Sequence, residues 1–401
     1  MKPILHNYVV VPGSREERER LRPIGRNRDL YSYTIDGLVD IARAAESLGY
    51  WGMSFVEHHL HSEGFEVSPS PGVLCAWLAA YTKTLRLGPL GYVLSTQHPL
   101  RVAEETATLD HILNGRLFVG FARGYQARWI QTMGQHFQAK ATLLDRKSAE
   151  RKEANDINQR IFREMYHIIK KAWTEDSFSF NGEFFKVPNP IEGITDYPGV
   201  PAALRYGGID EVGPQNQIQK VSIVPAPLQT PHPPIFVTSS GTPESAFWAG
   251  EQGVNALFLG PLSMILKQSK AFVEGSQSVG RNLAPGQNQG IFRYIVVGKT
   301  REEAYQKVSN SVVYPFFDFY RHFFPAEMLA SGGGATPLEL TLRSGLVIAG
   351  TVDDVKQQLD QIYQQIPFEY LIHITHYALE PKEELIEDIE LLATKVLPHF
   401  Q

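Results

Sequence analysis

Cysteine is almost absent from this chain of 401 residues: Cys75 stands alone, so no internal disulfide can form. Its neighbours Val73, Leu74, Ala76, Trp77 and Leu78 are apolar, and the residue reads as core rather than as a reactive thiol. No run of ~18 apolar residues occurs, so no membrane span is expected. Charge of one sign does not dominate: 38 Lys and Arg stand against 43 Asp and Glu, a net charge of −5. That balance leaves no footprint for nucleic acid or a lipid headgroup. No Walker-type or Gly-x-Gly-x-x-Gly run supports a nucleotide fold. Met1 to Leu5 run straight into an apolar strand without a long apolar leader, so we expect a cytoplasmic protein.

What is present is ample apolar material, 43% of residues, and an alternation of strand and helix signals. Residues 4–11, 50–56, 85–94 and 117–121 read as strands. Between them, Ile35, Leu38, Val39, Ala42 and Ala45 fall at helical spacing, Pro71 opens a helix to Tyr81, and Pro99 opens another to Leu113. Arg15 to Arg28 reads as a solvated charged loop. Asp145 to Asp156 reads as an exposed, partly helical insertion, and a helix resumes over 161–173. Asn181-Gly182 marks the centre of a hairpin over 178–187. The proline-rich run 188–234 shows little periodicity and is long for a structureless loop. Strands return at 235–238, 255–259, 291–297 and 370–375, with helices at 244–252, 262–272, 301–324 and around Leu385 to Val396. About eight strand–helix steps favour a closed (β/α)8 TIM barrel with insertions over a doubly wound sheet.

Chemistry-bearing residues gather where strands end, the position of active sites in such barrels. Glu57-His58-His59-Leu60-His61 puts three imidazoles and a carboxylate after one strand. Imidazole titrates near neutrality, which suits proton transfer. Two other readings remain: a metal site using His59 and His61, with His373 or His376, and histidines that only satisfy loop backbone. Arg123 ends another strand beside Gly124, a natural anchor for phosphate or carboxylate. Ser239, Ser240 and Gly241 precede a helix that Thr242 and Pro243 open. That turn is either an ordinary capped loop or a cradle of N–H groups for a phosphate. Gly88 and Gly91 flank Pro89 and Leu90, consistent with a bulge or with close approach of backbone to a flat ligand.

Taken together, Phe55-Val56-Glu57-His58-His59, Thr82 to Gly88, His98-Pro99-Leu100-Arg101, Glu104 through Leu109-Asp110, and Asn114 to Leu117 with Gly120 to Gly124 resemble the bacterial luciferase-like flavin monooxygenase family. Ser239 to Thr242, Ala349-Gly350-Thr351 and Val396-Leu397-Pro398 extend the resemblance over nearly the whole chain. It implies one TIM-barrel domain over 1–401, with insertions around 140–160 and 188–234 and a lid around 316–341. It implies reduced FMN from a separate flavin reductase, O2 as co-substrate, and oxygenation of a small organic substrate through a C4a-peroxyflavin. His58 matches the family's catalytic histidine, and His59 is its neighbour in the motif. Arg123, Ser239, Ser240 and Gly241 match the residues that grip the flavin phosphate. Leu90-Gly91 matches a non-proline cis peptide behind the flavin ring. A homodimer or heterodimer is the family's usual arrangement. Ala122 occupies the place of a reactive cysteine in luciferases themselves, which argues against light emission. Alternatives are an F420-dependent oxidoreductase on the same fold, a metal-dependent barrel hydrolase, and a non-catalytic partner subunit.

Overall fold

A computed structural model describes residues 1–141, 150–238, 242–323 and 334–400. Its strands are β1 (Lys2–Asn7), β2 (Gly52–Phe55), β3 (Arg86–Pro89), β4 (Tyr92–Val93), β5 (Val119–Ala122), β6 (Phe180–Asn181), β7 (Lys186–Val187), β8 (Ile235–Thr238), β9 (Asn255–Phe258), β10 (Gln289–Val297), β11 (Val347–Gly350) and β12 (Tyr370–Thr375). The main sheet follows the order β3-β2-β1-β12-β10-β9-β8-β5-β4, with β11 paired to β10 off that path. It is mostly parallel and nearly closed into a barrel of nine strands flanked by helices. Only Leu90 and Gly91 separate β3 from β4. Counted as one interrupted strand, the two reduce the ring to eight staves, the number the strand–helix alternation predicts.

The chain forms two compact units. The first comprises 1–92, 118–121 and 234–401, and the second comprises 93–117 and 122–233. The first unit carries most of the barrel. Its strands are buried on both faces, which is why they read as near-continuous apolar runs. Along β1, Ile4 faces inward; along β12, Tyr370, Ile372 and Ile374 do; along β10, Phe292 does. With Phe118, Phe236 and Leu257 they fill the interior. Phe236 meets Tyr370 at 5.0 Å and Phe118 at 5.6 Å between ring centroids, both edge to face. Trp51 closes this end, with Arg86 above its ring and Lys2 above Tyr370, each at 5.2 Å.

Outside the barrel, the helix Arg28–Ser47 buries Thr34, Gly37, Leu38, Ile41, Ala42 and Ala45, one stripe at helical spacing. Gly37 is demanded by packing, because a Cβ there would stand 1.6 Å from the Tyr377 hydroxyl. Cys75 is buried, as its neighbours predict. No helix of the described residues is long and apolar enough to cross a membrane.

Three local expectations differ from the structure. The charged segment after Gly13 is not all loop: Arg15–Arg20 is a helix, started by a capping box between Ser14 and Glu17. The helix expected over 301–324 is broken into Arg301–Val308, a π-helical turn Ser309–Val313, Tyr314–Asp318 and a 3₁₀ turn Tyr320–His322. Pro315 contributes to the break, since it lacks the N–H an uninterrupted helix needs. Phe324 lies outside the described residues. β11 is an additional strand, short and fully buried, that no alternation announced.

The second unit holds the helices Pro99–Ile112, Ala127–Met133 and Glu150–Thr174. The hairpin β6–β7 forms, but Asn181 belongs to β6 and the turn lies beyond it. The Glu164 carboxylate sets this register by accepting from the backbone N–H of Glu183, Phe184 and Phe185. In the proline-rich run, Val200–Tyr206 is helical, and Phe178 pairs with Val221. Buried Asp110 anchors the far end of that run, accepting from Gln229 N and Nε2 at 2.7 Å each. Most of the insertion expected at 145–156 is described as the start of the helix Glu150–Thr174; residues 142–149 lie outside the described set.

Candidate active site

The inward faces of the barrel strands change character toward their C-terminal ends. Two residues beyond Ile4 comes His6, and two further Tyr8; beyond Phe292 comes Tyr294; beyond Ile374 comes His376. The two-residue period of a strand places all four on the face that lower down is apolar. His6 pairs in register with Ser54 of β2, and its Nδ1 lies 2.7 Å from the Ser54 hydroxyl. His376 Nδ1 faces the Ser311 carbonyl at 2.7 Å. A carbonyl only accepts, so that nitrogen carries the hydrogen and Nε2 accepts from the Tyr294 hydroxyl at 3.2 Å. Burial pushes His376 down to about 4 and His6 down to about 3, the latter with help from His58. Both are therefore neutral near pH 7. Burial and the nearby Glu66 charge raise the Tyr8 hydroxyl, and burial with Tyr8 and Glu66 raises that of Tyr294. Both keep their protons.

The loop after β2 supplies the charged members. Here the Glu57-His58-His59-Leu60-His61 cluster divides. Glu57 serves His59, with Oε1 2.8 Å from His59 Nε2. His58 turns instead to Glu66, its Nδ1 2.8 Å from Oε2. His61 Nδ1 donates to the Phe65 carbonyl at 2.7 Å and lies 3.4 Å from the same Glu66 oxygen. The rings of His58 and His61 stack at 5.7 Å. His59 and His61 thus go to different carboxylates, which does not favour the shared metal site their spacing suggested. His373 faces the other way, toward the Ile295 carbonyl and Tyr50, and takes no part.

Glu66 is fully buried. Burial alone pushes its carboxyl up, yet the neighbouring His58, 2.8 Å away, and the charges of His61 and His376 hold it below the usual range. Its backbone is left-handed at φ 54°, as is that of Leu60 at φ 63°. Each such conformation costs a non-glycine residue about 1–2 kcal/mol. The loop is held against that cost by Val11 N donating to Gly64 O at 2.8 Å and Val67 N to Val9 O at 2.7 Å. Arg18 adds bonds to the Glu63 and Val11 carbonyls and lies 4.3 Å from the Phe65 ring centroid.

Aromatics cover this corner. Tyr320 stacks on His376 at 5.4 Å, and Phe319 meets Phe65 and His61 at 5.2 Å each. Val10, Phe65, Phe316, Phe319 and Tyr320 form one buried cluster, flanked by Tyr314, Phe317 and Phe323. Arg15 ties the helix Arg15–Arg20 to this cover through both oxygens of Asp318.

Leu90 and Gly91 also belong to the first unit, and the peptide joining them is cis. A Cβ on Gly91 would come within 2.3 Å of the Gly120 backbone, so on that side the glycine serves the approach of β5. Arg123 belongs to the second unit. Gly124 follows it at φ 79°, the sharp turn the sequence suggests. The guanidinium donates to Asn155 Oδ1 at 2.9 Å, and the Arg123 carbonyl accepts from Ser95 at 3.0 Å. Burial and the neighbouring Arg163 cation lower its pKa. Ser239, Ser240 and Gly241 lie outside the described residues; Thr242 occupies the N-cap position of the helix Pro243–Gln252 that follows, without a side-chain capping hydrogen bond.

Sequence reasoning named His58, His59 and, as a weaker candidate, His376. It passed over Glu66, His6, Ser54, Tyr8 and Tyr294. The alternation Ile4-x-His6-x-Tyr8 was a usable signal, since a strand cannot turn His6 and Tyr8 away from the face Ile4 occupies.

The chain's residues 21–370 match the model of the luciferase-like monooxygenase family. The uncharacterised protein y4wF of Sinorhizobium fredii is 31% identical over 66% of this chain, a match spanning 62% of that protein's length. The oxygenase component of the flavin-dependent trigonelline monooxygenase of Acinetobacter baylyi is 27% identical over 80% of this chain and 73% of its own. Among solved structures, the oxygenating constituent of 3,6-diketocamphane monooxygenase from Pseudomonas putida, a type II Baeyer-Villiger monooxygenase in complex with FMN, superposes with a TM-score of 0.71. It has 21% identity over 99% of this chain and 98% of its own. The F420-dependent tetrahydromethanopterin reductase of Methanopyrus kandleri superposes with a TM-score of 0.61, at 17% identity over 92% and 96%. With its family model matched over most of its length and its strands rolled into the barrel of these enzymes, the chain belongs to the luciferase-like monooxygenase family.

Proposed function

We propose that this protein is the oxygenase of a two-component flavin system, taking reduced FMN from a separate reductase and using O2 to oxygenate a small organic substrate. The observation that carries the reading is the family match together with a histidine–carboxylate pair, His58 and Glu66, at the C-terminal end of the barrel strands. When bound, reduced FMN supplies the two electrons with which one oxygen atom enters the substrate and the other leaves as water.

The chain's residues suit such a group. Arg123 is a guanidinium opposed by a second cation, Arg163, an arrangement that an anion such as the flavin phosphate relieves. Ser239, Ser240 and Gly241 are likewise proposed as phosphate-binding residues, and Leu90 and Gly91 as residues behind the ring. His58 holds and moves the proton. His59, fixed by Glu57, is its neighbour in the motif. Tyr8 and Tyr294 keep their protons near pH 7, His6 and His376 are uncharged there, and all four present neutral hydrogen-bonding groups. The aromatic cover of Phe316, Phe319 and Tyr320 excludes water, which would otherwise weaken every electrostatic contact beneath it.

The test is to mix protein and chemically reduced FMN with ¹⁸O2 and a panel of aldehydes, ketones and N-heteroaromatic acids. The reading expects one labelled oxygen in a product and the other in water. Hydride transfer with reduced F420, and no labelled product with FMN, would place the enzyme in the other branch of the fold.

A further inference from the structure

We infer that Glu66 is the positioning residue of His58: its carboxylate, 2.8 Å from Nδ1, keeps the hydrogen on that nitrogen and leaves Nε2 as the nitrogen that exchanges the proton. This rests on the reading of His58 as the proton-handling residue. Glu57 is the sequence neighbour one would pick for this role, but it is spent on His59.

Three observations converge on Glu66. The first is distance and burial: its Oε2 stands 2.8 Å from His58 Nδ1, and its side chain has no exposure. In such surroundings a charge-assisted contact is strong and cannot be exchanged for water. The second is selectivity. The same oxygen lies 3.4 Å from His61 Nδ1, but that hydrogen goes to the Phe65 carbonyl at 2.7 Å, so the shorter contact is with His58. The third is backbone. A glutamate is held in the left-handed region at φ 54° by hydrogen bonds on both sides of it, from Val67 to Val9 and from Val11 to Gly64. A strained non-glycine residue persists where its surroundings over-determine it, and such residues cluster at functional sites.

The groups around the pair are consistent with a retained anion. His6 and Tyr8 come from β1 and its extension, His61 from the loop itself, Tyr294 from β10 and His376 from beyond β12. His6 and His376 are neutral near pH 7, and both tyrosines keep their protons. With Nδ1 committed, a doubly protonated His58 releases its proton only from Nε2 and is left as the neutral Nδ1–H tautomer. Returning a proton to Nε2 restores it. The histidine thus runs its cycle without ring reorientation.

The tautomer is directly measurable by long-range ¹⁵N–¹H correlation NMR on the full chain labelled at histidine, with the His58 signals identified by their loss in His58→Asn. Neutral His58 in the wild type is expected to hold the Nδ1–H form in at least about tenfold excess. Glu66→Met, similar in size but without an acceptor, abolishes that excess. Glu66→Gln, which keeps an acceptor oxygen, retains it; a packing role would not separate the two variants. In His58→Asn the Glu66 carboxyl titrates at higher pH than in the wild type. A wild-type His58 found as Nε2–H or as an even mixture overturns the assignment, and needs no variant to fold. An excess that survives Glu66→Met overturns it equally. All of these spectra are taken without flavin. Failure of reduced FMN to bind would therefore undo the flavin reading and leave the tautomer result standing.

Discussion

At the N-terminal end of the barrel, Phe118, Phe236 and Tyr370 meet edge to face, with Lys2 and Arg86 over the rim. A few residues further along strands of the same barrel stand His6, Tyr8, Tyr294 and His376, joined by Glu66 and His58 from one loop. Along the strands themselves the ladder is the same, so from Ile4 to His6 and from Phe292 to Tyr294 the difference is made by inward-facing side chains, while the loop after β2 adds the charged pair. The lower end gains from burying aromatic area; the upper end buries polar groups that must each find a partner. Stability and chemistry are thereby divided along one axis, and substitutions at the two ends should fail in different ways.

The largest effect is expected below. Phe236→Ala removes a fully buried ring from the aromatic plug and should cost about 3–5 kcal/mol of unfolding free energy, read from denaturant titration. Acid should then act mainly through the upper end. His6 and His376 are held neutral in the fold, with values lowered from 6.5 to about 3 and about 4. The unfolded chain binds their protons first, so stability falls as pH drops from about 6.5 toward about 4. His373, lowered to about 4 by burial outside the site, adds to the same slope. Glu66, held below its usual range, contributes stability that is also lost on acidification as pH falls through its folded value. Urea midpoints across that window test this, and His376→Asn should flatten the slope. Arg123→Ala should leave the urea midpoint nearly unchanged and weaken reduced-FMN binding by at least about tenfold in an anaerobic titration. Tyr294→Phe forfeits one hydrogen bond to His376 and should cost only about 0.5–1.5 kcal/mol, by the same denaturant assay as Phe236→Ala. Smallest is Arg15→Ala, which cuts an exposed ion pair to Asp318 and should change stability by about 0.2–1 kcal/mol.

The lower end was legible in the sequence and the upper end only in part. Apolar runs bounded by helix signals announce buried parallel strands, and the barrel followed from their number. His58 and His59 were visible because they are adjacent and close a strand. Glu66 was not, because its pairing with His58 depends on a turn at Gly64 and a left-handed backbone that no periodicity reports. His6 and Tyr294 sit inside strands that read as core, where a lone polar residue carries no pattern of its own. The capping box of Ser14 and Glu17 was present in the letters but hidden in a run of charge. The hairpin turn moved past Asn181 because a distant carboxylate, Glu164, outweighs the local dipeptide.

The ligand at the upper end decides the function of the protein. Anaerobic fluorescence titration with photoreduced FMN, and separately with reduced F420, measures this most directly. We expect saturable binding of reduced FMN at one equivalent per chain, and weaker or no binding of F420. Tight binding of reduced F420 with none of reduced FMN would contradict it.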